Sequence, residues 1–158
     1  MSYQITKTNN RLFIFGCYSE LPEEIFQNVG LTHLRIEGNC EECLHELTPK
    51  ISKFINLESL IVVKTALREL PNEIVKLRNL KELRVVNCNK FKCLPNEIGK
   101  LKNLEILDVW RSGINKLPES IMELSSLKEL VIGRNQISIE QREWILEKLS
   151  HVEHKYVE

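Results

Sequence analysis

The sequence predicts an α/β fold: a right-handed solenoid bent into a horseshoe arc, with a parallel sheet on its concave side, short helices on its convex side and a capping helix near the C-terminus. Three observations carry this expectation. The stretch LPNEIVKLRNLKELRVVNC at 70–88 returns almost unchanged as LPNEIGKLKNLEILDVWRS at 94–112. A block Leu-x-x-Leu-x-Leu, closed by Asn, Cys, Ser or Thr, recurs at Leu31-Leu34-Ile36-Asn39, Leu57-Leu60-Val62-Thr65, Leu80-Leu83-Val85-Cys88, Leu104-Leu107-Val109-Ser112 and Leu127-Leu130-Ile132-Asn135, with Leu12-Ile14-Cys17 as an incomplete first copy. Equivalent positions lie 22–26 residues apart, room for one strand and one short return per copy.

The elements follow in order. Residues 1–10 form an N-terminal cap, with Tyr3 and Ile5 alternating as in a strand or hairpin; residues 11–137 hold about six repeats; residues 138–158 form a C-terminal cap, so that 1–158 is one domain. Inside a repeat, Leu83 and Val85 alternate with Glu82, Arg84 and Val86, the period-two pattern of a strand buried on one face. A second block, Leu-Pro-x-x-Ile, follows at Leu21-Pro22-Ile25, Leu70-Pro71-Ile74, Leu94-Pro95-Ile98 and Leu117-Pro118-Ile121. Proline presets φ for a first helical turn, and Glu23, Glu73, Glu97 and Glu119 suit a helix start. Ile74, Leu77 and Leu80 keep one side of that helix on the core, and Lys76 and Arg78 fall in its last turn. One copy departs: in Leu47-Thr48-Pro49-Lys50-Ile51 the proline comes one position late, after a loop expected to bulge over 38–46, which leaves the turn there open. Ser138 and Gln141 resemble a capping box opening a helix to about Leu149, with Trp144, Ile145 and Leu149 on its apolar side. His151 and His154 belong to a charged tail, solvated or capping.

One copy is too small to offset the entropy of ordering its own backbone, roughly 1–2 kcal/mol per residue, so neighbouring copies must supply the missing core. These blocks make the chain resemble a leucine-rich-repeat protein of the typical LPxxI-bearing class, similar to intracellular Ras-group-related and short bacterial leucine-rich-repeat proteins. The resemblance covers roughly residues 10–137. It implies the solenoid directly, whereas function has to be argued from the site.

Composition narrows the classes. The chain has 158 residues, 42% hydrophobic and 28% charged, with 22 basic against 22 acidic side chains; zero net charge gives no global attraction to nucleic acid or an anionic membrane. No apolar run approaches the roughly 18 residues of a spanning helix, and the N-terminus lacks an apolar leader. Five cysteines, an odd number, suggest free thiols in a reducing compartment. The cytoplasm is therefore expected, with secretion by a route that uses no classical signal left open, and no cofactor is expected.

The informative residues are those the repeat lets vary on the outward side of each strand: Arg35, Glu37, Ile61, Val63, Arg84, Val86, Ile106, Asp108, Trp110, Arg111, Val131 and Arg134, with Arg11, Phe13, Phe15, His33, Ser59, Lys64, Glu82, Asn87 and Glu129 beside them. Apolar and aromatic side chains clustered beside arginines suit protein recognition, with Trp110 and Arg84 as leading anchors; the bland alternative is β-formers lying flat on their neighbours. Arg84 and Asp108 share a repeat position on adjacent copies and are expected to pair. The expected function is non-catalytic binding of a protein or peptide partner, by a monomer or weak homodimer with no membrane insertion. The alternatives are a scaffold acting through its convex face or a homodimer edge, and, less favoured, an enzyme using Glu82, Asp108 and Glu129, whose neighbouring arginines oppose the raised pKa that acid catalysis needs. The run CEECLH gives Cys40, Cys43 and His45 as weak metal candidates, half of a four-ligand zinc site; no metal is expected.

Overall fold

The computed structural model describes residues 3–39 and 42–158. Eight strands stand in chain order in one sheet: β1 Tyr3–Thr8, β2 Arg11–Gly16, β3 His33–Gly38, β4 Ser59–Val63, β5 Glu82–Val86, β6 Ile106–Asp108, β7 Glu129–Val131 and β8 His154–Tyr156. β1 and β2 pair antiparallel as the N-terminal hairpin; every later pair is parallel. Register follows the repeat. Leu12, Leu34, Leu60, Leu83, Leu107 and Leu130 are neighbours in one row across the sheet, and all are buried. Ile14, Ile36, Val62 and Val85 form a second buried row, and Val109 and Ile132, just past the short strands β6 and β7, are buried too.

The convex returns are 3-10 turns at Glu23–Gln27, Pro49–Lys53, Asn72–Lys76, Ile98–Lys100 and Glu119–Glu123. A return of three to five residues is too short for a ladder of i→i+4 bonds, and the bonds made are the tighter kind, Ile74 N–H to Pro71 C=O at 3.0 Å and Leu77 N–H to Ile74 C=O at 3.0 Å. Proline stands one place earlier than expected: Pro71 (φ −64°, ψ 146°) and Pro118 (φ −70°, ψ 147°) are extended cap residues ahead of the turn. The departing copy keeps its turn. Thr48 occupies the proline's place and its side chain accepts the Lys50 N–H at 3.3 Å, so a side-chain cap does the work of a preset φ. Arg78 lies past its turn, where its guanidinium donates to Lys100 C=O at 2.5 Å.

Neighbouring repeats are tied by recurring side-chain bridges. Asn56, Asn79 and Asn103, each just before a leading leucine, donate to the Val29, Ile55 and Arg78 carbonyls one repeat earlier, at 3.3, 2.9 and 2.8 Å. On the inner loops, Asn135 accepts the Ser112 and Ile114 N–H groups and donates to Val109 C=O. Ser112 Oγ donates to Val85 C=O at 2.5 Å, and the Cys88 thiol lies 3.4 Å from Val86 C=O. Charges alternate along the strand starts: Lys81 pairs with Glu58 at 2.9 Å and Lys128 with Glu105 at 2.5 Å. These pairs are exposed, so they favour correct stacking more than they stabilise it.

The C-terminal helix α1, Ile139–Lys148, has Ser138 as N-cap, its side chain accepting the Gln141 N–H. Gln141 does not reciprocate; its amide bonds both the N–H and the C=O of Leu117, fastening the helix to the last convex return. Ile145 and Leu149 are buried and Trp144 packs half-buried against the core. The expected charged tail is instead strand β8, an abbreviated further repeat in which Leu149, Val152 and Val157 are buried and Lys155 stands opposite Leu130 in the framework row. The Lys155 ammonium donates to Leu149 C=O at 3.1 Å and Val152 C=O at 2.6 Å, so the leucine row ends in a polar plug.

Candidate binding face

Because side chains alternate along a strand, fixing one face on the core aims the other at the concave side. One outward row crosses the sheet as Phe13, Arg35, Ile61, Arg84, Asp108, Val131 and Tyr156. The row before it runs Arg11, His33, Ser59, Glu82, Ile106, Glu129 and His154; the row after it begins Phe15, Glu37, Val63 and Val86. Ile61, Val63, Val86, Ile106, Trp110 and Val131 are half-exposed on β4–β7 or directly after them; Val63 stands opposite Val86, and Glu82, Arg84, Asp108 and Glu129 stand among the others. Trp110 is not in the core.

Trp110 is held rather than free. Its indole lies beside Gly133, where an added Cβ would come 3.5 Å from the ring and only 2.1 Å from the Glu158 carbonyl, so this place takes no side chain. The Arg134 guanidinium sits 5.7 Å from the ring centroid as a cation–π partner. At the other end of the wall Phe13 and Phe15 stack at 6.4 Å, with Arg35 5.8 Å over Phe13 and 2.7 Å from Glu37.

Arg84 is the hub of a charged cluster. Its Nε donates to Glu82 at 2.6 Å, its guanidinium reaches Asp108 at 2.8 Å as expected, and Glu129 stands 4.0 Å away. Glu82 accepts further from Ser59 Oγ at 2.6 Å, and Asp108, which is buried, accepts the Trp110 N–H at 3.0 Å. Burial pushes the Glu82 carboxyl up, but the hydrogen bonds from Arg84 and Ser59 and the Arg84 charge outweigh it and hold the group below its ordinary value. Such a carboxylate stays ionised, the reverse of what a general acid requires.

Beyond the strands the chain turns through left-handed residues at matching places, Lys64, Asn87, Arg111 and Arg134, with φ of 50–56°. Their amides continue the ladder, from Lys64 N–H to Val86 C=O and from Arg111 N–H to Gly133 C=O. Below them opens a cleft of ≈ 590 Å³ lined by Phe15, Glu37, Gly38, Asn39, Lys64, Thr65, Asn87, Asn89 and Arg111. Asn39, read from the sequence only as the residue closing a repeat block, and Asn89 were not named as site residues; the signal for them was their place in the loop after each strand. Lys64 lies 3.8 Å from Glu37, and the Arg111 side chain has no ion pair among the described residues.

The metal candidates do not assemble. Cys43 is disulfide-bonded, so its sulfur is no thiolate ligand, and the expectation that the thiols are uniformly free fails there. Cys40 lies outside the described residues. The His45 Nε2 is 3.7 Å from Glu42, and among the described residues no group of three metal-binding side chains forms. Cys88 and Cys93 are free thiols. Among the described residues, no helix is long and apolar enough to cross a membrane.

No family model matches the chain. It is 35% identical over 89 residues to a disease-resistance-type protein of Arabidopsis thaliana, At4g19050, a match covering 55% of this chain and 7% of that protein. Its structure resembles the leucine-rich-repeat domain of the type III effector XopL (TM-score 0.70, 28% identity, 82% of this chain and 46% of that one) and a TDR receptor (TM-score 0.66, 30% identity, 78% and 21%). The chain thus spans less than half the length of each. With the repeat period, the in-register parallel sheet and these likenesses in agreement, the chain is a leucine-rich-repeat protein.

Proposed function

We propose that the concave sheet binds a protein or peptide partner without catalysing a reaction on it. Leucine-rich-repeat arrays generally use their extended concave surfaces for such recognition, and one observation carries the reading here: six half-exposed apolar side chains, Trp110 among them, stand on the outward side of β4–β7 and the turns after them, interspersed with charged ones. Apolar side chains in such numbers on one face are costly to leave wet. The contact set we propose is Arg35, Glu37, Ile61, Val63, Val86, Ile106, Trp110, Arg111, Val131 and Arg134, with Arg84 and Asp108 setting the shape of its floor.

The test is crosslinking pull-down from native lysate with wild type and Trp110→Ala, followed by calorimetry on any partner recovered. A hot spot loses about 2 kcal/mol or more of binding energy; partners that bind the variant unchanged overturn the reading. A second reading, a weak homodimer through the sheet edge, draws on β1, whose Tyr3 and Ile5 are 44% and 37% exposed. Sedimentation of wild type against Ile5→Lys decides it, since the edge reading requires the variant to lose a dimer. For the compartment we propose the cytoplasm, supported by the free thiols of Cys88 and Cys93 and opposed by the disulfide at Cys43. Fractionation of the native source overturns this placement if the chain is recovered outside the cytosol.

A further inference from the structure

The concave face is polarised along its strands, and this names the chemistry of its partner. On β5–β7 three carboxylates surround one guanidinium, Glu82 and Glu129 at strand starts and Asp108 at the end of β6: Arg84 satisfies Glu82 and Asp108 at 2.6 and 2.8 Å, which leaves Glu129 with only a 4.0 Å contact. That corner carries a net negative charge, and Glu129 has unused acceptor capacity. At the far ends of the same repeats the turns carry Arg111 and Arg134, neither of them ion-paired among the described residues. Between the two poles lie Val131 and Trp110, half-exposed, with the half-exposed Ile106 beside Glu129 in the first outward row. From Glu129 to Arg134 the chain advances five residues, roughly 15 Å at strand rise.

We infer that the partner is a peptide segment with an apolar middle, a Lys or Arg seated against Glu129 and an Asp or Glu seated against Arg111 and Arg134. The inference rests on the concave-binding reading and adds its orientation. Complementary poles of opposite sign select one direction of docking, because the reversed segment places like charges together at both ends. An extended segment spans the two poles with its charges about four to five positions apart.

The probe is a random twelve-residue peptide library displayed on phage, selected against the immobilised full chain and then measured as free peptides. Expected are sequences with a basic and an acidic residue four to five positions apart around apolar residues, binding at least about tenfold more weakly to Glu129→Gln and to Arg111→Ser. Glu129→Lys should invert the preference at the basic position. Thermal melts of all variants check folding, and Glu129→Gln, nearly isosteric, stands in if Glu129→Lys fails to fold. Peptides that lose binding to Trp110→Ala yet show no charge order, or an order unmoved by Glu129→Gln, overturn the polarity and leave the concave site standing. Peptides that bind Trp110→Ala unchanged overturn both.

Discussion

At the scale of single residues, the two leading candidates turn out to do different work. Trp110 is half-exposed, wedged between the bare backbone of Gly133 and the Arg134 guanidinium, where the proposed partner can reach it. Arg84 ties Glu82 to Asp108 and only partly offsets the carboxylates around it. Its removal has a pH signature. In the wild type the folded pKa of Glu82 lies below its unfolded value, so its stabilisation is complete above that value, ordinarily about 4.3, and is lost as pH falls through the folded pKa. Arg84→Leu deletes the Arg84 hydrogen bond and charge that lower it, leaving the Ser59 hydrogen bond against the burial that raises it, which shrinks the contribution at neutral pH while changing little once the carboxyl is protonated. Urea unfolding at pH 7 and pH 3.5 should therefore give a loss of about 1–2 kcal/mol at the higher pH and clearly less at the lower, the size following from losing hydrogen bonds to charged groups on a part-exposed site. Equal losses at both pH values refute the hub. The buried framework gives a pH-independent contrast: Leu107→Ala, at 0% exposure, should cost about 2–5 kcal/mol by the same measurement.

At the scale of elements, the strands and the register were legible in the sequence because period-two alternation and a fixed repeat spacing both report burial directly. The returns were legible only as places. Proline announced where the chain turns, but the short span chose a 3-10 turn with proline as its extended cap, and Thr48 shows that a hydroxyl serves when proline slips by one. Thr48→Ala should accordingly cost about 1 kcal/mol in chemical denaturation, whereas an unchanged midpoint argues that the turn holds without its cap. The asparagine bridges were missed although written plainly as Asn-Leu at 56–57, 79–80 and 103–104, since a polar residue on the convex side carries no periodic burial signal. Strand β8 was missed for a related reason: Lys155 replaces the one leucine that would have revealed another copy. The cysteines divide by element as well. Cys88 is buried in the inner ladder, its thiol held neutral mainly by burial, while Cys93 lies exposed on the convex side. Maleimide should label Cys93 in the native protein and reach Cys88 only on unfolding; simultaneous labelling contradicts the buried ladder.

At the scale of the whole molecule, each repeat packs on its neighbours, with the exposed Lys90–Glu42 pair at 3.0 Å reaching one repeat further, so stability approximates a sum of repeat and interface terms and the ends decide how far the stack persists. The two ends are closed differently. The N-terminal hairpin leaves Tyr3 and Ile5 of β1 partly exposed, whereas the C-terminal side is sealed by α1 on the convex face and by β8 against β7. Lys155 is the pivot of that seal, because its ammonium satisfies two carbonyls where α1 ends and the last strand begins. Lys155→Ala leaves Val152 C=O without its ammonium donor and Leu149 C=O with only the Val152 N–H, and should cost about 1–3 kcal/mol, the usual penalty of an orphaned polar group. The loss should be local before it is global. Hydrogen exchange should accelerate first at the amides joining β7 and β8, such as Ile132 N–H, which bonds Tyr156 C=O at 2.8 Å, and leave those between β4 and β5 protected. Exchange that rises equally across all strands would mean that the stack opens as one unit, and the end plug would then have no separate role.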